Sequence, residues 1–247
     1  MTLISADSEL LLLGPIAGFY PVEGIEKPEE PQLWIPNTLQ DYEARCLAKQ
    51  IQEAGEDPEL VLCLARGGMI VGQAIAYSNG IKPLVSIQTA GWTNDATQDE
   101  VTIIKNFPHV SDDMKGKRVF IADELADSAS ALKLTVEWAG ENLDPADIKT
   151  GVIYLKDRDR VMMPDYYVRT VPNLWLDHES QSTHERRARR IAELIAYGWA
   201  KDIEEAMGKL AMTPVDRNFL VESVAASERH RRFDFSVVPR LVEYLAA

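Results

Sequence analysis

Apolar and polar residues follow two distinct patterns in the first two thirds of the chain. Residues 38–54 place apolar side chains at helical spacing and stop at Gly55, so they predict an amphipathic helix. The run LVLCLA at 60–65 is continuously apolar, as in a strand that is buried on both faces. ARGG then marks a turn, and the pattern over 69–80 predicts a second helix. Together these segments predict a helix followed by a strand–turn–helix unit.

Three further apolar runs predict strands at 84–89, 118–122 and 149–155, and a helix is predicted after 118–122 through about residue 140. Buried apolar strands separated by helices are typical of a parallel sheet that is covered on both faces. In such sheets ligands bind at the carboxyl ends of the strands. The predicted fold class is therefore α/β with a mainly parallel sheet, and its site is expected at that edge.

Both ends of the chain differ from this alternating pattern. Residues 1–33 collect proline and glutamate toward their end and predict an extended lead-in. Residues 181–247 predict three helices, which begin near Ser182, Thr213 and Ser236. Such helices cannot bury their apolar stripes alone, so we expect them to dock on the core or on another chain. The predicted organisation is a lead-in at 1–33, an α/β domain at 34–180 and a helical extension at 181–247.

Charge is distributed unevenly over the 247 residues, whose formal net charge is −13. Residues 1–179 carry 15 basic and 29 acidic side chains, whereas residues 180–247 carry 11 and 10. A surface this acidic argues against non-specific nucleic-acid binding. An anionic ligand would have to be held locally, by a helix N-terminus, a few placed cations or a divalent metal ion.

Neither the cysteines nor the chain start indicates an extracellular or membrane protein. Cys46 and Cys63 lie far apart in apolar patterns, and we interpret both as buried structural residues. The apolar run at 10–13 follows acidic residues and is interrupted by Gly14 and Pro15, so it predicts neither a signal peptide nor a membrane span. We expect a cytoplasmic protein.

The stretch VFIADELADSASAL at 119–132 carries the candidate chemistry. Asp123 and Glu124 follow the predicted strand, and residues 127–131 lead into a helix whose first backbone N–H groups lack intrahelical partners. Such a helix start binds anions, and Ser128 and Ser130 add hydroxyl donors. For Asp127 and Ser128 taken alone a plain helix cap is the favoured explanation, but two adjacent carboxylates at a ligand-binding edge call for a cation or hydroxyl groups.

This stretch resembles the phosphoribosyl-pyrophosphate (PRPP) motif of type I phosphoribosyltransferases, and the resemblance extends over roughly residues 34–179. It is closest to the xanthine-guanine and hypoxanthine (6-oxopurine) branch. LARGGMIVG at 64–72 is similar to the pyrophosphate loop of the family, and VSIQTAGW with the following polar segment to its mobile loop. YLKDRDRVMMPDYYV at 154–168 and LWLDHE at 174–179 resemble the segments that hold the purine.

The resemblance implies a role for each matching residue. Asp127 is implied as the proton-handling catalytic acid or base, and Asp123 and Glu124 as ligands of the ribose and of Mg²⁺. It also implies a strained, cis peptide between Ala65 and Arg66. The implied partners are PRPP and a purine base or nucleotide, in a homo-oligomer. The remaining implied residues are Ser128, Ala129, Ser130 and Ala131 for phosphate, Ala65, Arg66 and Gly67 for pyrophosphate, Lys156, Trp175, Leu176 and Asp177 for the base, and Asp177 for the metal.

Two positions depart from the family pattern Asp-Thr-Gly-x-Thr. Ala129 replaces the glycine and Ala131 replaces the second hydroxyl residue. If residue 129 needs a positive φ, alanine costs on the order of 1 kcal/mol there. A lost neutral hydrogen bond costs about 0.5–1.5 kcal/mol more. We therefore expect this loop to bind phosphate with roughly tenfold to fiftyfold lower affinity, but still to bind it.

These observations predict a Mg²⁺-dependent phosphoribosyltransferase that acts on a 6-oxopurine. The changed phosphate loop and the added helical extension leave open a non-catalytic sensor that binds PRPP or a nucleotide. Transfer to a modified or non-purine base also remains open, because base choice depends on the shape of the pocket.

Overall fold

The computed structural model describes residues 11–13, 32–92, 98–103, 111–179, 191, 194, 198 and 200–210. The described parts of residues 1–39 and 174–247 form one compact unit, and residues 40–173 form the other. The elements in chain order are β1 (Leu11–Leu13), β2 (Gln32–Ile35), α1 (Asn37–Glu53), β3 (Leu60–Ala65), α2 (Gly68–Asn79), β4 (Leu84–Trp92), β5 (Gln98–Ile103), β6 (Arg118–Ala126), α3 (Ser130–Leu143), β7 (Asp147–Lys156), β8 (Tyr166–Val171), β9 (Trp175–His178) and α4 (Ile203–Lys209).

The larger unit contains a six-stranded sheet with the order β5-β4-β3-β6-β7-β8. The neighbouring strands β4, β3, β6, β7 and β8 are parallel, and β5 pairs antiparallel with β4 at the edge. The predicted α/β class with a mainly parallel sheet is confirmed. Parallel neighbours end at the same edge, so the segments that follow β3, β6 and β7 lie close together.

Helices cover both faces of this sheet. On one face, α3 buries Leu132, Ala139 and Leu143 against a cluster from the central strands that includes Leu62 and Ile121. On the other face, Gly151 of β7 has no room for a side chain, because a Cβ there would lie 2.7 Å from the ring of Phe120 and 3.4 Å from Leu47 of α1. The apolar runs of the sequence therefore mark strands that are buried on two sides.

Cys63 shows how tightly α2 packs on β3. Gly72 of α2 lies so close that a Cβ there would be 2.8 Å from the Cys63 sulfur. Cys63 is 1 % exposed, and burial raises the pKa of its thiol to about 11. Its predicted structural role is consistent with this burial, whereas Cys46 is only partly buried.

A buried polar cluster joins α1 to the edge of the sheet. Glu43 of α1 is fully enclosed and forms an ion pair with Arg169 of β8. The Tyr154 hydroxyl of β7 lies beside the same carboxylate, and burial together with Glu43 raises the pKa of this tyrosine. Because a buried charge is costly without a partner, these contacts help to fix α1 over the end of β7.

The smaller unit is built around the sheet β1-β2-β9, in which β2 pairs antiparallel with β1 and parallel with β9. Trp34 is fully buried, and its indole Nε1 donates a hydrogen bond to the carbonyl of Leu210 at 2.8 Å. Ile191 and Leu194 of the helical extension are each 1 % exposed. Each unit thus holds part of the predicted domain at 34–180, and the predicted boundaries themselves stay predictions.

Several boundaries differ from the sequence-based expectation. Strand β6 was expected to end at residue 122, but it continues to Ala126 because its ladder with β7 extends to the pair of Ala126 and Leu155. Strands β1, β2, β5, β8 and β9 were not predicted, because short or edge strands lack a long apolar run. The predicted helix starts at Ser182, Thr213 and Ser236 lie outside the described residues. Among those that are described, no helix is long and apolar enough to cross a bilayer.

Candidate active site

Asp123 and Glu124, here called the acidic pair, lie side by side near the carboxyl end of β6. The backbone N–H of Glu124 donates to Asp123 Oδ1 at 2.9 Å, and the two carboxyl groups also share a hydrogen bond. Burial raises the pKa of Asp123 well above its usual value, and the neighbouring Glu124 carboxylate raises it further. Two close carboxylates of this kind attract a cation or hydroxyl donors.

Residues 65–68, here called the ARGG turn, connect β3 to α2 beside the acidic pair. The peptide bond between Ala65 and Arg66 is cis, as the family resemblance implied. Gly67 touches the end of the Glu124 side chain, since a Cβ at Gly67 would lie 1.9 Å from the Glu124 Cδ. Gly68 touches the β6 backbone, with 2.6 Å from its hypothetical Cβ to the carbonyl of Ala122. The Arg66 side chain is exposed.

Residues 127–131, here called the serine loop, lead from β6 into α3. Ala129 has φ 59° and ψ 17°, which is the left-handed region that glycine adopts readily and alanine does not. The hydroxyl groups of Ser128 and Ser130 lie 2.9 Å apart, and Ser130 is the first residue of α3. Residue 129 thus has the positive φ at which alanine is expected to cost on the order of 1 kcal/mol.

Alanine at residue 129 also has a compensating contact. Ala129 is 5 % exposed, and it belongs to the apolar cluster between α3 and the sheet. Burying one methyl group contributes roughly 0.8 kcal/mol, which offsets most of the roughly 1 kcal/mol cost of the left-handed conformation. Ala131 packs against the same cluster.

Asp127 lies between two cationic side chains. Lys156, the last residue of β7, places Nζ 2.7 Å from Asp127 Oδ2. Arg158 places Nη1 2.7 Å from Asp127 Oδ1. Lys156 is 7 % exposed, and the Arg158 side chain is 35 % exposed. An acidic and a basic residue from the ends of neighbouring strands thus meet at the ligand-binding edge of the sheet.

The segment after β7 is held against the serine loop by its backbone. Val161 N–H donates to the carbonyl of Ser128 at 3.0 Å. The Arg160 guanidinium donates to the carbonyl of Lys156 at 2.8 Å. These two contacts fix the start of the 157–165 segment relative to both Lys156 and the serine loop.

Arg158 was missed as a candidate in the sequence analysis. It stands in the alternating run KDRDR, which a solvated charged turn would explain equally well. Its partner Asp127 is 31 residues away in the chain, so only the pairing of β6 with β7 brings the two together.

Three of the expected base-binding residues belong to the smaller unit. Trp175 begins β9, Leu176 is 7 % exposed and Asp177 is 3 % exposed. The backbone of Asp177 is paired with that of Trp34 in the parallel ladder between β9 and β2. The expected set of base-binding residues is thus divided between two compact units, with Lys156 in the other.

The acidic pair is the part of the larger unit that fits Mg²⁺. This ion prefers oxygen ligands and is usually held by one or two carboxylates together with substrate phosphates. The raised pKa of Asp123 beside Glu124 is the effect that a bound cation would relieve. Within the described ranges no group of three or more His, Cys, Asp or Glu side chains is arranged to hold a metal. The residues therefore fit a metal ion that arrives with a phosphorylated ligand.

Comparison with solved structures shows the same fold in other proteins. A hypothetical protein from Neisseria gonorrhoeae with bound ppGpp superimposes with a TM-score of 0.54 at 20% identity, covering 63% of this chain and 92% of that one. A purine phosphoribosyltransferase from Pyrococcus horikoshii gives 0.51 at 24% identity, covering 62% and 95%. The xanthine-guanine-hypoxanthine phosphoribosyltransferase of Helicobacter pylori gives 0.52 at 16% identity, covering 64% and 98%. At these identities the likeness shows the fold.

A family model supplies the assignment that fold alone does not. The model described as the phosphoribosyl transferase domain matches residues 37–186, which is more than half of the chain. The match spans the ARGG turn, the acidic pair, the serine loop and Lys156. This chain therefore belongs to the phosphoribosyltransferase family.

Proposed function

We propose that this protein transfers the 5-phosphoribosyl group of PRPP to a 6-oxopurine, which yields a nucleoside monophosphate and pyrophosphate. The observation that carries the proposal is the 2.7 Å contact between Lys156 Nζ and Asp127 Oδ2. It puts a strong hydrogen-bond donor and an acceptor side by side at the ligand-binding edge of the sheet.

This pair complements one edge of a 6-oxopurine. The Lys156 ammonium has three donors, so it can serve the exocyclic oxygen while it remains bonded to Asp127. The Asp127 carboxylate can accept a ring N–H of the base. Adenine presents an amino donor in place of the oxygen, so the ammonium would meet a second donor there. The pair therefore favours oxopurines over adenine.

The proposed reaction exchanges one bond for another at the C1 carbon of the ribose. The bond from C1 of the ribose to pyrophosphate breaks, its electron pair leaves with pyrophosphate, and a bond from C1 to a ring nitrogen forms. Positive charge develops on the sugar, which the carboxylates of Asp123 and Glu124 are suited to stabilise. The base loses a ring proton, and Asp127 accepts it. The ARGG turn holds the leaving pyrophosphate, and the serine loop holds the 5′-phosphate.

Mg²⁺ is part of the proposal as a cation that Asp123 and Glu124 would hold when PRPP binds. It would supply positive charge to offset the negative charge of the leaving pyrophosphate. Asp123 and Glu124 are the residues of the larger unit that would hold it. Asp177, which the family resemblance also implies as a ligand, belongs to the smaller unit. A homo-oligomer and a cytoplasmic location stay predictions.

A non-catalytic sensor of PRPP or a nucleotide is the second candidate. Ala129 favours it, because a loop strained at φ 59° holds phosphate with less freedom than a glycine loop does. The similar fold of the Neisseria gonorrhoeae protein was solved with ppGpp, so a nucleotide ligand is compatible with this architecture. A sensor would bind these ligands without turnover.

Pyrophosphate release from PRPP separates the two candidates. The assay uses hypoxanthine, guanine, xanthine and adenine, with and without Mg²⁺, on the natural chain and on Asp127→Ala. We expect turnover with a 6-oxopurine that requires Mg²⁺, and a loss of roughly 10²- to 10⁴-fold in Asp127→Ala. Arg45→Gln, which removes a surface ion pair with Asp41, serves as the control and should keep full activity. Binding of PRPP or nucleotide without turnover on any base would favour the sensor.

A further inference from the structure

Asp127 is held by both of its oxygens. Lys156 occupies Oδ2 and Arg158 occupies Oδ1, each at 2.7 Å. A single contact would leave the carboxylate free to turn about its last bond, because the terminal torsion of aspartate has a broad preference. Two donors on opposite oxygens fix the plane of the carboxylate.

The backbone around Arg158 is itself anchored. Asp157 N–H donates to the carbonyl of Val171 on β8 at 2.8 Å, and Arg158 N–H donates to the carbonyl of Lys156 at 2.9 Å. Val161 N–H reaches the serine loop at the carbonyl of Ser128. Arg158 therefore extends from a turn that is tied to β8 on one side and to the serine loop, which contains Asp127, on the other.

We propose that Arg158 is a positioning residue that orients Asp127 for proton transfer. The inference rests on the proposed function, in which Asp127 accepts a ring proton of the base. Each carboxylate oxygen can accept two hydrogen bonds, so both cations leave Asp127 an acceptor position for the base. Holding a catalytic group in one orientation increases the rate at a given occupancy of substrate. Arg158 thus acts on kcat through Asp127.

A mutant cycle tests this inference. The variants are Arg158→Gln, Asp127→Asn and the double variant, with Arg158→Lys as the conservative substitution and Arg45→Gln as a charge-matched control. We expect Arg158→Gln to lower kcat about tenfold while KM for PRPP stays within about twofold. Arg158→Lys should recover part of the loss, because it keeps the charge without the planar guanidinium. In the Asp127→Asn background, Arg158→Gln should change kcat by less than about twofold.

Equal effects of Arg158→Gln in both backgrounds would overturn the inference, because Arg158 would then act on the substrate directly. That result would leave the proposed function intact, since the natural chain would still turn over. If the natural chain shows no turnover with any base, the proposed function fails instead. The mutant cycle is then measured with the dissociation constants of inosine and guanosine monophosphate. Non-additive effects of the Arg158 and Asp127 substitutions on these constants would support the positioning role, and additive effects would overturn it.

Discussion

The ARGG turn and the serine loop make the same connection in two different ways. Each follows a central parallel strand and begins a helix, and each is proposed to hold a phosphate group of PRPP. The ARGG turn contains two glycines, whereas the serine loop contains none and places Ala129 where the family pattern has glycine. The structure shows that the two loops make different physical demands.

The ARGG turn requires glycine because there is no space for a side chain. Gly67 faces the Glu124 carboxylate, and Gly68 faces the backbone of β6. Neither residue has a positive φ. The demand in the serine loop is conformational, because Ala129 has φ 59° while its methyl group has a place in the apolar core. Alanine can adopt the left-handed conformation at a cost of about 1 kcal/mol. Where there is no space for a Cβ, however, any side chain forces the neighbouring atoms to shift.

The largest effect is expected from Gly68→Ala. The new Cβ would lie 2.6 Å from the carbonyl of Ala122 and 3.0 Å from the Asp123 Cα, which are backbone atoms that cannot turn away. We expect the free energy of unfolding to fall by about 2–3 kcal/mol in urea titrations. Gly140→Ala is the matched control, because it is a helical glycine with nothing within 4 Å of its hypothetical Cβ. That control should gain up to about 1 kcal/mol; a Gly68→Ala protein as stable as the control would contradict the spatial argument.

Gly67→Ala should damage binding more than folding. Its Cβ would meet the end of the Glu124 side chain at 1.9 Å, and a flexible carboxylate can move. Movement displaces one member of the acidic pair, so we expect about tenfold weaker binding of PRPP with Mg²⁺ by calorimetry. Glu124→Asp shortens the side chain by one methylene and should restore part of the affinity in the Gly67→Ala background. A double variant no better than Gly67→Ala would show that Glu124 is not the group displaced.

Ala129→Gly tests the conformational argument. Glycine removes the unfavourable left-handed alanine and also the buried methyl group, so the free energy of unfolding should change by less than about 0.5 kcal/mol. The serine loop can then adjust its N–H groups to phosphate, and PRPP should bind up to about fivefold tighter. Calorimetric titration with PRPP measures this change. Unchanged affinity would mean that the strain at residue 129 does not limit phosphate binding.

The smallest effect is expected from restoring the second hydroxyl of the serine loop. Ala131→Thr supplies a donor near the start of α3, and a partly exposed neutral hydrogen bond of about 0.5 kcal/mol corresponds to roughly twofold in affinity for PRPP. Ala131→Val has nearly the same shape and helix propensity without the hydroxyl, so it should bind PRPP as the natural chain does. If the threonine and valine variants bind PRPP equally well, any difference from the natural chain comes from packing and not from the hydroxyl group.

Much of this arrangement could be predicted from sequence because its signals are local. The apolar run at 60–65, the glycines after it and the acids after residue 122 define the strands and the loops that follow them. The same reasoning did not extend to β6 beyond residue 122, because the continuation depends on its ladder with β7. It missed β2 and β9 as well, whose pairing joins segments about 140 residues apart in the chain.

The sequence by itself determined which residues are available at the edge of the sheet, and that the serine loop has alanine in place of glycine. Only the tertiary structure decided what those residues touch. Arg158 reaches Asp127 because β6 and β7 are parallel neighbours whose carboxyl ends coincide, and residue 129 is left-handed because the chain must turn there from β6 into α3. Chemistry at this edge depends on side chains from separate strands, and no local pattern specifies how those strands meet.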